Sequence, residues 1–232
     1  MKNMFQRIKV FVKAAFGREL IEKTYKVSSK ERFGSDYGGW DVVTADIDEN
    51  TIIYSFGLGE DVSFDSALIE RFDLTIHGFD PTPKSIEWVK RHGFSDRFIM
   101  HEYGVAGHDG DVDFNPPENP DHVSHTILNR PSTGLKAISL PVRRVSTIMK
   151  DLGHRHVNII KMDVEGAEYD VIKDISNSDI RPQQILVEFH HRFPDVGIEM
   201  TKDAINRLKA MGYQLFSVSA SNEDFCFIRN LL

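Results

Sequence analysis

The sequence predicts an α/β protein whose mostly parallel β-sheet is covered by helices on both faces. From about residue 50 onward, strand-like and helix-like segments alternate along the chain, and such alternation is typical of parallel sheets. The first strand-like segment, 51–56, is a short β-branched and aromatic run that ends at a glycine, as expected for a buried strand. The last two, 213–218 and 225–228, stand in hairpin relation and predict an antiparallel pair at the end of the sheet.

The individual elements follow from local spacing. A helix over 62–72 is predicted because Phe64, Leu68 and Phe72 recur every four residues and so share one helix face. Proline near the start of 83–92 favours a helix there. The other predicted helices are 145–152, 167–174 and 201–211. The other predicted strands are 76–79, 97–101, 112–114, 137–142, 157–162 and 184–189.

The composition is that of an ordinary soluble globular protein. The 232 residues are 41% hydrophobic and 27% charged, and this length fits one large domain better than two. A net charge of -7 argues against nucleic acid or an anionic lipid surface as partner of the chain as a whole. The single cysteine, Cys226, excludes an internal disulfide framework and is compatible with a reducing compartment. Because no apolar run approaches the roughly 20 residues of a membrane span, we expect a cytoplasmic protein.

Residues 1–18 differ from the rest of the chain in charge. They hold five basic residues and no acidic one, together with an apolar stripe at helical spacing. One interpretation is a helix that docks on a membrane surface or a partner; the other, which we favour, is a helix packed on its own domain. We therefore divide the chain into 1–49, a helix and a Gly/aromatic loop packing on the core, and 50–232, the main domain. A signal peptide is not expected, because Lys9 and Lys13 interrupt the apolar stretch.

A glycine turn follows the first predicted strand, at the sheet edge where parallel α/β sheets bind their ligands. Gly57 and Gly59 let the backbone turn tightly and approach a ligand closely. The third glycine of a dinucleotide fingerprint and the basic residue of a phosphate loop are both missing. Glu60 and Asp61 would repel a pyrophosphate, so the turn disfavours NAD, FAD and nucleoside triphosphates. A cationic or zwitterionic ligand such as S-adenosylmethionine suits it better.

An acid closes the next predicted strand, about twenty residues further on, as in dinucleotide folds. Asp80 stands where a carboxylate can accept hydrogen bonds from both ribose hydroxyls. The alternative is a helix N-cap, because Asp80 precedes Pro81 and a predicted helix. Together with the glycine turn, Asp80 predicts a site for an adenosyl ligand.

The most specific segment is KMDVEGAE, residues 161–168, which begins at the end of a predicted strand. It resembles the hallmark of the FkbM-type family of S-adenosylmethionine-dependent methyltransferases, and the resemblance covers about residues 50–230. It implies a single Rossmann-like seven-strand methyltransferase domain that methylates a hydroxyl of a sugar, a glycolipid or a secondary metabolite. It also implies that Asp163 lies beside the transferable methyl group. The predicted cofactor-binding residues are Gly57, Leu58, Gly59, Asp61, Asp80, Tyr103 and Asp163.

Three acids follow the same strand within six residues. Asp163 sits where a parallel strand delivers a side chain into the cleft, and we expect it to be catalytic. Glu165 is equally consistent with a substrate contact and with a solvated acid favoured by a helix dipole. Glu168 is expected to be structural.

A base is needed because an unactivated alcohol has a pKa near that of water, roughly 16, and histidine is the usual choice. His190 and His191 follow the predicted strand 184–189. Adjacent residues of an extended segment point in opposite directions, so only one is expected to face the reacting hydroxyl. We favour His190 as the base, with Asp163 as the alternative, and we assign His191 to substrate binding.

A divalent metal ion is an alternative that we do not favour. Asp163, Glu165, Glu188 and His190 offer suitable ligand atoms. However, Glu188 lies within a predicted strand, and the spacing of the four residues is not diagnostic of a metal site.

Two peripheral segments are expected to complete the site. Residues 37–40 (YGGW) are either an aromatic loop that closes over the cofactor or a turn with a core tryptophan. The polar segment 115–134 is longer than a connector needs to be, which suggests a lid or binding loop. Within it, His125 is a predicted substrate contact.

Two other function classes stay open. A methyltransferase acting on nitrogen or on a macromolecule is disfavoured by the acidic remainder and by the absence of the aromatic-proline tetrapeptide typical of amino-group methylation. A non-catalytic adenosyl-binding protein, recruited through the N-terminal helix, is the other. We expect the acceptor to be a small molecule or a glycan, and we expect neither a nucleic-acid partner nor a membrane span. Peripheral membrane association through 1–18 and the oligomeric state stay open.

Overall fold

The structure is a computed structural model that describes residues 2–115 and 137–229. The helices formed there are α1 (Lys2–Ala15), α2 (Ser63–Phe72), α3 (Pro83–His92), α4 (Val145–Leu152), α5 (Glu168–Ser176) and α6 (Gly197–Ala210). The strands are β1 (Lys30–Phe33), β2 (Trp40–Val43), β3 (Ile53–Phe56), β4 (Ile76–Phe79), β5 (Phe98–His101), β6 (Gly104–Val105), β7 (Gly110–Phe114), β8 (Ile138–Arg143), β9 (Ile159–Met162), β10 (Gln184–Glu188), β11 (Tyr213–Val218) and β12 (Asp224–Arg229). The predicted lid segment 115–134, with His125, lies outside the described residues apart from Asn115.

A seven-stranded sheet forms the centre of the fold, in the order β11-β12-β10-β9-β3-β4-β5. The pairs β10–β9, β9–β3, β3–β4 and β4–β5 are parallel. β12 runs antiparallel to both of its neighbours. The structure therefore confirms the predicted α/β class, with a mostly parallel sheet and an antiparallel C-terminal hairpin. The strand order reverses between β3 and β9, and their carboxyl ends are the expected ligand position.

Alternate side chains of the central strands enter two apolar cores, one on each face of the sheet. Tyr54 and Phe56 of β3 belong to the larger core, with residues of α4, α5 and α6. Ile53 of the same strand belongs to the second core, with α2 and the β1–β2 hairpin. Because both faces are covered, β3, β4 and β9 are buried at every position. This burial explains why their sequences lack the alternation of polar and apolar residues that a half-exposed strand shows.

Two small sheets accompany the central one. β6, β8 and β7 form a three-stranded sheet, which contains the predicted strands 112–114 and 137–142. β1 pairs antiparallel with β2, so that Phe33 faces Trp40 across the hairpin. We did not predict this hairpin, because Lys30–Phe33 is mostly charged and exposed and does not show the pattern of a buried strand.

The N-terminal helix is formed as predicted, but its large apolar side chains are exposed. After it, Leu20 belongs to the larger core, and Phe33 and Trp40 belong to the second. The division of the chain into 1–49 and 50–232 stays a prediction. No helix among the described residues is long and apolar enough to cross a bilayer.

Candidate active site

The glycine turn after β3 lies against the end of β9. Gly57 has a φ of +74°, and a Cβ there would lie 1.7 Å from the backbone oxygen of Asp163. The backbone N–H of Gly57 donates to Phe79 O at 3.0 Å, and that of Asp163 donates to Phe56 O at 3.0 Å. Only glycine fits between these strand ends, so the turn and Asp163 form one rigid unit.

Asp80 fastens this turn to the end of β4. Its Oδ2 accepts from the backbone N–H groups of Leu58 at 3.0 Å and Gly59 at 3.1 Å. Its Oδ1 accepts from the N–H of Thr82 at 2.9 Å and from the Thr82 hydroxyl at 2.6 Å. An ionised carboxylate has about four acceptor positions, and Asp80 is 5% exposed. Its ribose contact stays a prediction, and that contact requires one of these bonds to be exchanged.

Leu58 and Asp61, the other predicted cofactor residues of the turn, are also engaged. The Leu58 side chain is buried in a small apolar cluster with Val62 and Val89, so only its backbone can face a ligand. Asp61 accepts from the Ser35 hydroxyl at 2.7 Å and from the Ser63 N–H at 2.8 Å. Burial alone would raise the pKa of Asp61, but hydrogen bonds from Ser63 and Ser35 lower it. Asp61 is therefore held as an anion at the start of α2.

Lys161 is a buried cation beneath the turn, and we did not predict it as a site residue. Its ammonium donates to the backbone oxygen of Gly57 at 2.5 Å and lies 5.9 Å from the centre of the Trp40 ring. Burial raises the pKa of nearby Asp65 to about 6, and the charge of Lys161 opposes that rise. The signal for Lys161 was its place inside KMDVEGAE, where a charged residue occupies an otherwise apolar strand.

Asp163, Glu165 and His190 come together at the carboxyl ends of β9 and β10. His190 Nε2 lies 3.8 Å from Asp163 Oδ1 and 3.5 Å from Glu165 Oε2. The strand register explains the meeting, because Met162 pairs with Val187 just before the two strands end. Glu165 adopts a positive φ of 49°, which turns the chain sharply between the strand and α5.

Glu168 holds His190 from the other side. It is fully buried, and its Oε1 accepts from the backbone N–H of His190 at 3.0 Å and lies 3.2 Å from Nδ1 of the ring. Its Oε2 accepts from the Gly166 N–H at 2.8 Å. The carboxylate thus fixes the orientation of the imidazole.

The charge of His190 follows from these neighbours. Burial alone would lower its pKa, but the carboxylates of Glu168, Glu165 and Asp163 raise it to about 10. Burial and then the charge of Asp163 raise the pKa of Glu188. His190 is therefore an imidazolium near neutral pH. This state weighs against our preference for His190 as the base and favours the alternative, Asp163.

A metal ion has one candidate site in the part of the chain that the structure describes. Ligand atoms of Asp163, Glu165 and His190 lie within 4.8 Å of one another. The oxygen and nitrogen donors suit a divalent ion. However, a metal would have to displace the proton of Nε2, which lies between the carboxylates of Asp163 and Glu165.

His191 points away from this cluster. It is 3% exposed, and its Nε2 lies 2.9 Å from Oε2 of Glu19. Arg192 Nε and Asn222 Nδ2 donate to the same carboxylate at 2.9 and 3.0 Å. In this conformation the His191 side chain lies against Glu19 and outside the acidic cluster, and its contact with a substrate stays a prediction.

Two aromatic residues lie at the borders of the site. Arg143 stacks on the ring of Tyr103, with its guanidinium carbon 4.4 Å from the ring centre, so one face of this predicted adenine contact is covered. Tyr37 is 93% exposed. The 37–40 loop lies against Asp61, since a Cβ at Gly38 would lie 2.6 Å from Asp61 Oδ2.

Comparison with known families identifies the chain. The family model described as the methyltransferase FkbM domain matches residues 44–215. The chain belongs to this FkbM family. The resemblance that KMDVEGAE suggested is thereby confirmed.

Named relatives of this FkbM-family chain are distant. A probable methyltransferase-like protein 24 from Homo sapiens is 22% identical over 67% of this chain and 37% of its own length. The hexuronic acid methyltransferase AglP from Haloferax volcanii is 26% identical over 50% of this chain and 47% of its own length. The chain thus spans less than half the length of either relative. Among solved structures, the chain is similar to Aeropyrum pernix fibrillarin, which was solved in complex with S-adenosyl-L-methionine. The TM-score is 0.43 and the sequence identity 10%, and the match covers 88% of this chain and 83% of the fibrillarin chain.

Proposed function

We propose that the chain is an S-adenosylmethionine-dependent O-methyltransferase that acts on a hydroxyl of a sugar, a glycolipid or a secondary metabolite. Its membership of the FkbM family supports methyl transfer. The observation that carries the proposal is the close approach of Gly57 and Asp163, since a Cβ on Gly57 would lie 1.7 Å from Asp163 O. This close approach places the glycine turn, which would bind the cofactor, next to the residue whose carboxylate would face the acceptor.

The chemistry of the turn suits a cationic nucleoside. Asp61 is held as an anion at the turn, and the backbone of Asp163 packs against Gly57. These two carboxylates attract a sulfonium and an amino group, whereas the ammonium of Lys161 is engaged by the backbone oxygen of Gly57 beneath the turn. The residues that would hold the cofactor are those predicted from the sequence: Gly57, Leu58, Gly59, Asp61, Asp80, Tyr103 and Asp163. When bound, S-adenosylmethionine supplies an electrophilic methyl group.

In the proposed reaction, the chain positions the acceptor and takes its proton. Asp163 is the most exposed member of the cluster, with 37% of its side chain accessible, and its carboxylate accepts the hydroxyl proton as the new bond forms. His190, as an imidazolium, orients Asp163 and Glu165. Glu165 accepts a hydrogen bond from a second hydroxyl of the acceptor. Holding the reactants in line can supply about 7–11 kcal/mol of the barrier.

The charge of the cluster favours a neutral acceptor over an anionic one. AglP is named as a hexuronic acid methyltransferase, and this likeness supports a sugar as the acceptor. In this chain Asp163 and Glu165 face the acceptor, and a uronate carboxylate beside them would be repelled. We therefore propose a neutral polyol acceptor.

Transfer of a labelled methyl group tests the proposal. The chain is incubated with methyl-labelled S-adenosylmethionine and with neutral glycosides, matched hexuronides, protein or RNA. We expect the label to appear on neutral glycosides. The Asp163→Asn variant should lose this transfer, whereas the control Asp111→Asn, which changes an exposed acid in β7, should retain it. Label in protein or RNA alone would support the macromolecular alternative. Cofactor binding by calorimetry without transfer to any hydroxylated acceptor would support the non-catalytic one.

A further inference from the structure

The N-terminal helix exposes a broad apolar face. Five large side chains of 5–16 are between 53% and 77% exposed: Phe5, Ile8, Phe11, Val12 and Phe16. At about 100° per residue, these positions fall on one side of α1 and of the turn that follows it. Monomeric proteins rarely leave a contiguous apolar patch of this kind uncovered.

A different side of α1 faces the domain. Gln6, Val10 and Ala14 are half-buried, and their spacing of four residues places them on one face. Ala14 and Phe11 also line a cavity of about 540 Å³, together with Lys202 and Asn206 of α6. The helix therefore rests on its less apolar side, and the broad apolar face stays exposed, with Phe11 at its border with the cavity.

The charge around this face selects the occupant. Residues 1–18 hold five basic residues and no acid, whereas the rest of the chain holds 23 basic and 35 acidic residues. Arg7, Lys9, Lys13 and Arg18 are exposed. A second copy seated on this face in a symmetric dimer would bring two basic helices together. An anionic bilayer supplies both an apolar layer for the aromatic residues and negative charge for the flanking cations.

We propose that α1 is an interfacial helix that binds bilayers containing anionic lipids. The apolar side chains enter the boundary between headgroups and acyl chains, and the basic side chains contact lipid phosphates. Repulsion between the acidic body and the same lipids keeps the rest of the molecule off the surface and so sets its orientation.

Glu19 links the helix to the candidate active site. It lies four residues after the end of α1 and is 5% exposed, and the ammonium of Lys13 in the helix lies 3.8 Å from its carboxylate. Its carboxylate meets His191 at 2.9 Å and accepts from Arg192 at 2.9 Å, and these residues adjoin His190. Docking through α1 therefore brings the acidic cluster near the membrane surface, and, if the proposed function holds, near a lipid-linked acceptor.

Vesicle flotation tests the docking without reference to methyl transfer. The chain is mixed with vesicles of phosphatidylcholine alone, or of phosphatidylcholine and phosphatidylglycerol at roughly 3:1. We expect binding to the anionic vesicles only, and its loss when salt is raised to about 0.5 M. The double variant Ile8→Ser/Phe16→Ser is expected to bind these vesicles at least about tenfold more weakly than the parent chain. Ile99→Ser, which changes an exposed residue of β5, serves as the control and is expected to bind as the parent chain does.

Three results would overturn the proposal. One is the absence of binding to anionic vesicles at low salt; another is equal binding by the double variant and the parent chain. The third is a parent chain that binds no vesicles but forms a concentration-dependent dimer in light scattering, together with a double variant that stays monomeric. This result would assign the apolar face to a second copy of the chain. Circular dichroism and thermal unfolding of both variants establish that the fold is kept.

Discussion

The carboxylate of Glu168 lies 3.2 Å from Nδ1 of His190, and both side chains are buried. The carboxylate holds a proton on the ring and fixes the direction in which Nε2 points. His190 in turn places positive charge between Asp163 and Glu165. Glu168, which is fully buried, thus favours the positive charge of His190 at the centre of the cluster.

Removing the charge of Glu168 is expected to release the proton of His190. Glu168→Gln keeps the size of the side chain, so the pKa of His190 should fall from its raised value because its largest attractive charge is gone. The titration of the imidazole signals by NMR measures this shift. Asp170→Asn, at an exposed acid of the same helix, is the control. An unchanged titration in Glu168→Gln would show that Glu168 does not set the charge of His190.

The raised pKa of His190 also predicts a loss of stability at alkaline pH. In the unfolded chain the ring has a pKa of about 6.5, whereas in the folded chain it is about 10. Between these values the folded state binds more protons, so the free energy of unfolding falls as pH rises. Urea unfolding across this range should show a smaller fall in His190→Gln. An equal fall in both proteins would contradict the prediction.

Gly57→Ala and Gly153→Ala separate backbone strain from a steric clash. Both glycines have a positive φ, 74° and 71°, but a Cβ at Gly153 meets nothing within 4 Å, whereas at Gly57 it would lie 1.7 Å from Asp163 O. We expect Gly153→Ala to cost about 1 kcal/mol of unfolding free energy. Gly57→Ala should cost more than about 3 kcal/mol, because the ends of β3 and β9 must separate. Similar losses in the two variants, measured in urea, would refute the clash.

Asp80 and Thr82 offer a second matched pair. Asp80→Asn replaces a carboxylate that accepts hydrogen bonds from the backbone N–H groups of the glycine turn. Thr82→Val removes only the hydrogen bond from the Thr82 hydroxyl to Oδ1 of Asp80. We expect Asp80→Asn to weaken S-adenosylmethionine binding by about tenfold or more and Thr82→Val to weaken it little. Calorimetry measures both dissociation constants. An unchanged constant in Asp80→Asn would remove Asp80 from the cofactor site.

The sequence predicted which residues meet at the strand ends better than which contacts each side chain makes there. Asp163 and His190 were expected at strand ends because buried parallel strands are recognisable from composition, and β9 and β10 are indeed neighbours. Glu168 was expected to be structural, but its contact with His190 was not predicted, because the two residues are 22 positions apart. The pairing of Glu19 with His191 spans 172 positions. Such contacts depend on how elements pack, which local spacing does not encode.

A second histidine cluster predicts the opposite response to pH. His77 of β4 is buried on the face of the sheet that carries the larger core. Its Nδ1 lies 3.0 Å from Nε2 of His101, and its ring centre lies 4.9 Å from that of His154. Burial, and then His154 and His101, lower the pKa of His77 to about 4. Between about 4 and the unfolded value of about 6.5, the unfolded state binds more protons. The free energy of unfolding therefore falls as pH decreases through this window.

His77→Phe tests this acid response and its independence from His190. The variant keeps a ring of similar size, and its stability should fall less between about pH 6.5 and pH 4 than that of the parent chain. His92→Phe, at an exposed histidine of α3, should leave the acid response unchanged. Because His77 acts on the acid side and His190 on the alkaline side, the pH of maximum stability should move down in His77→Phe and up in His190→Gln. Movement of both maxima in the same direction would contradict the assignment of the two pKa shifts.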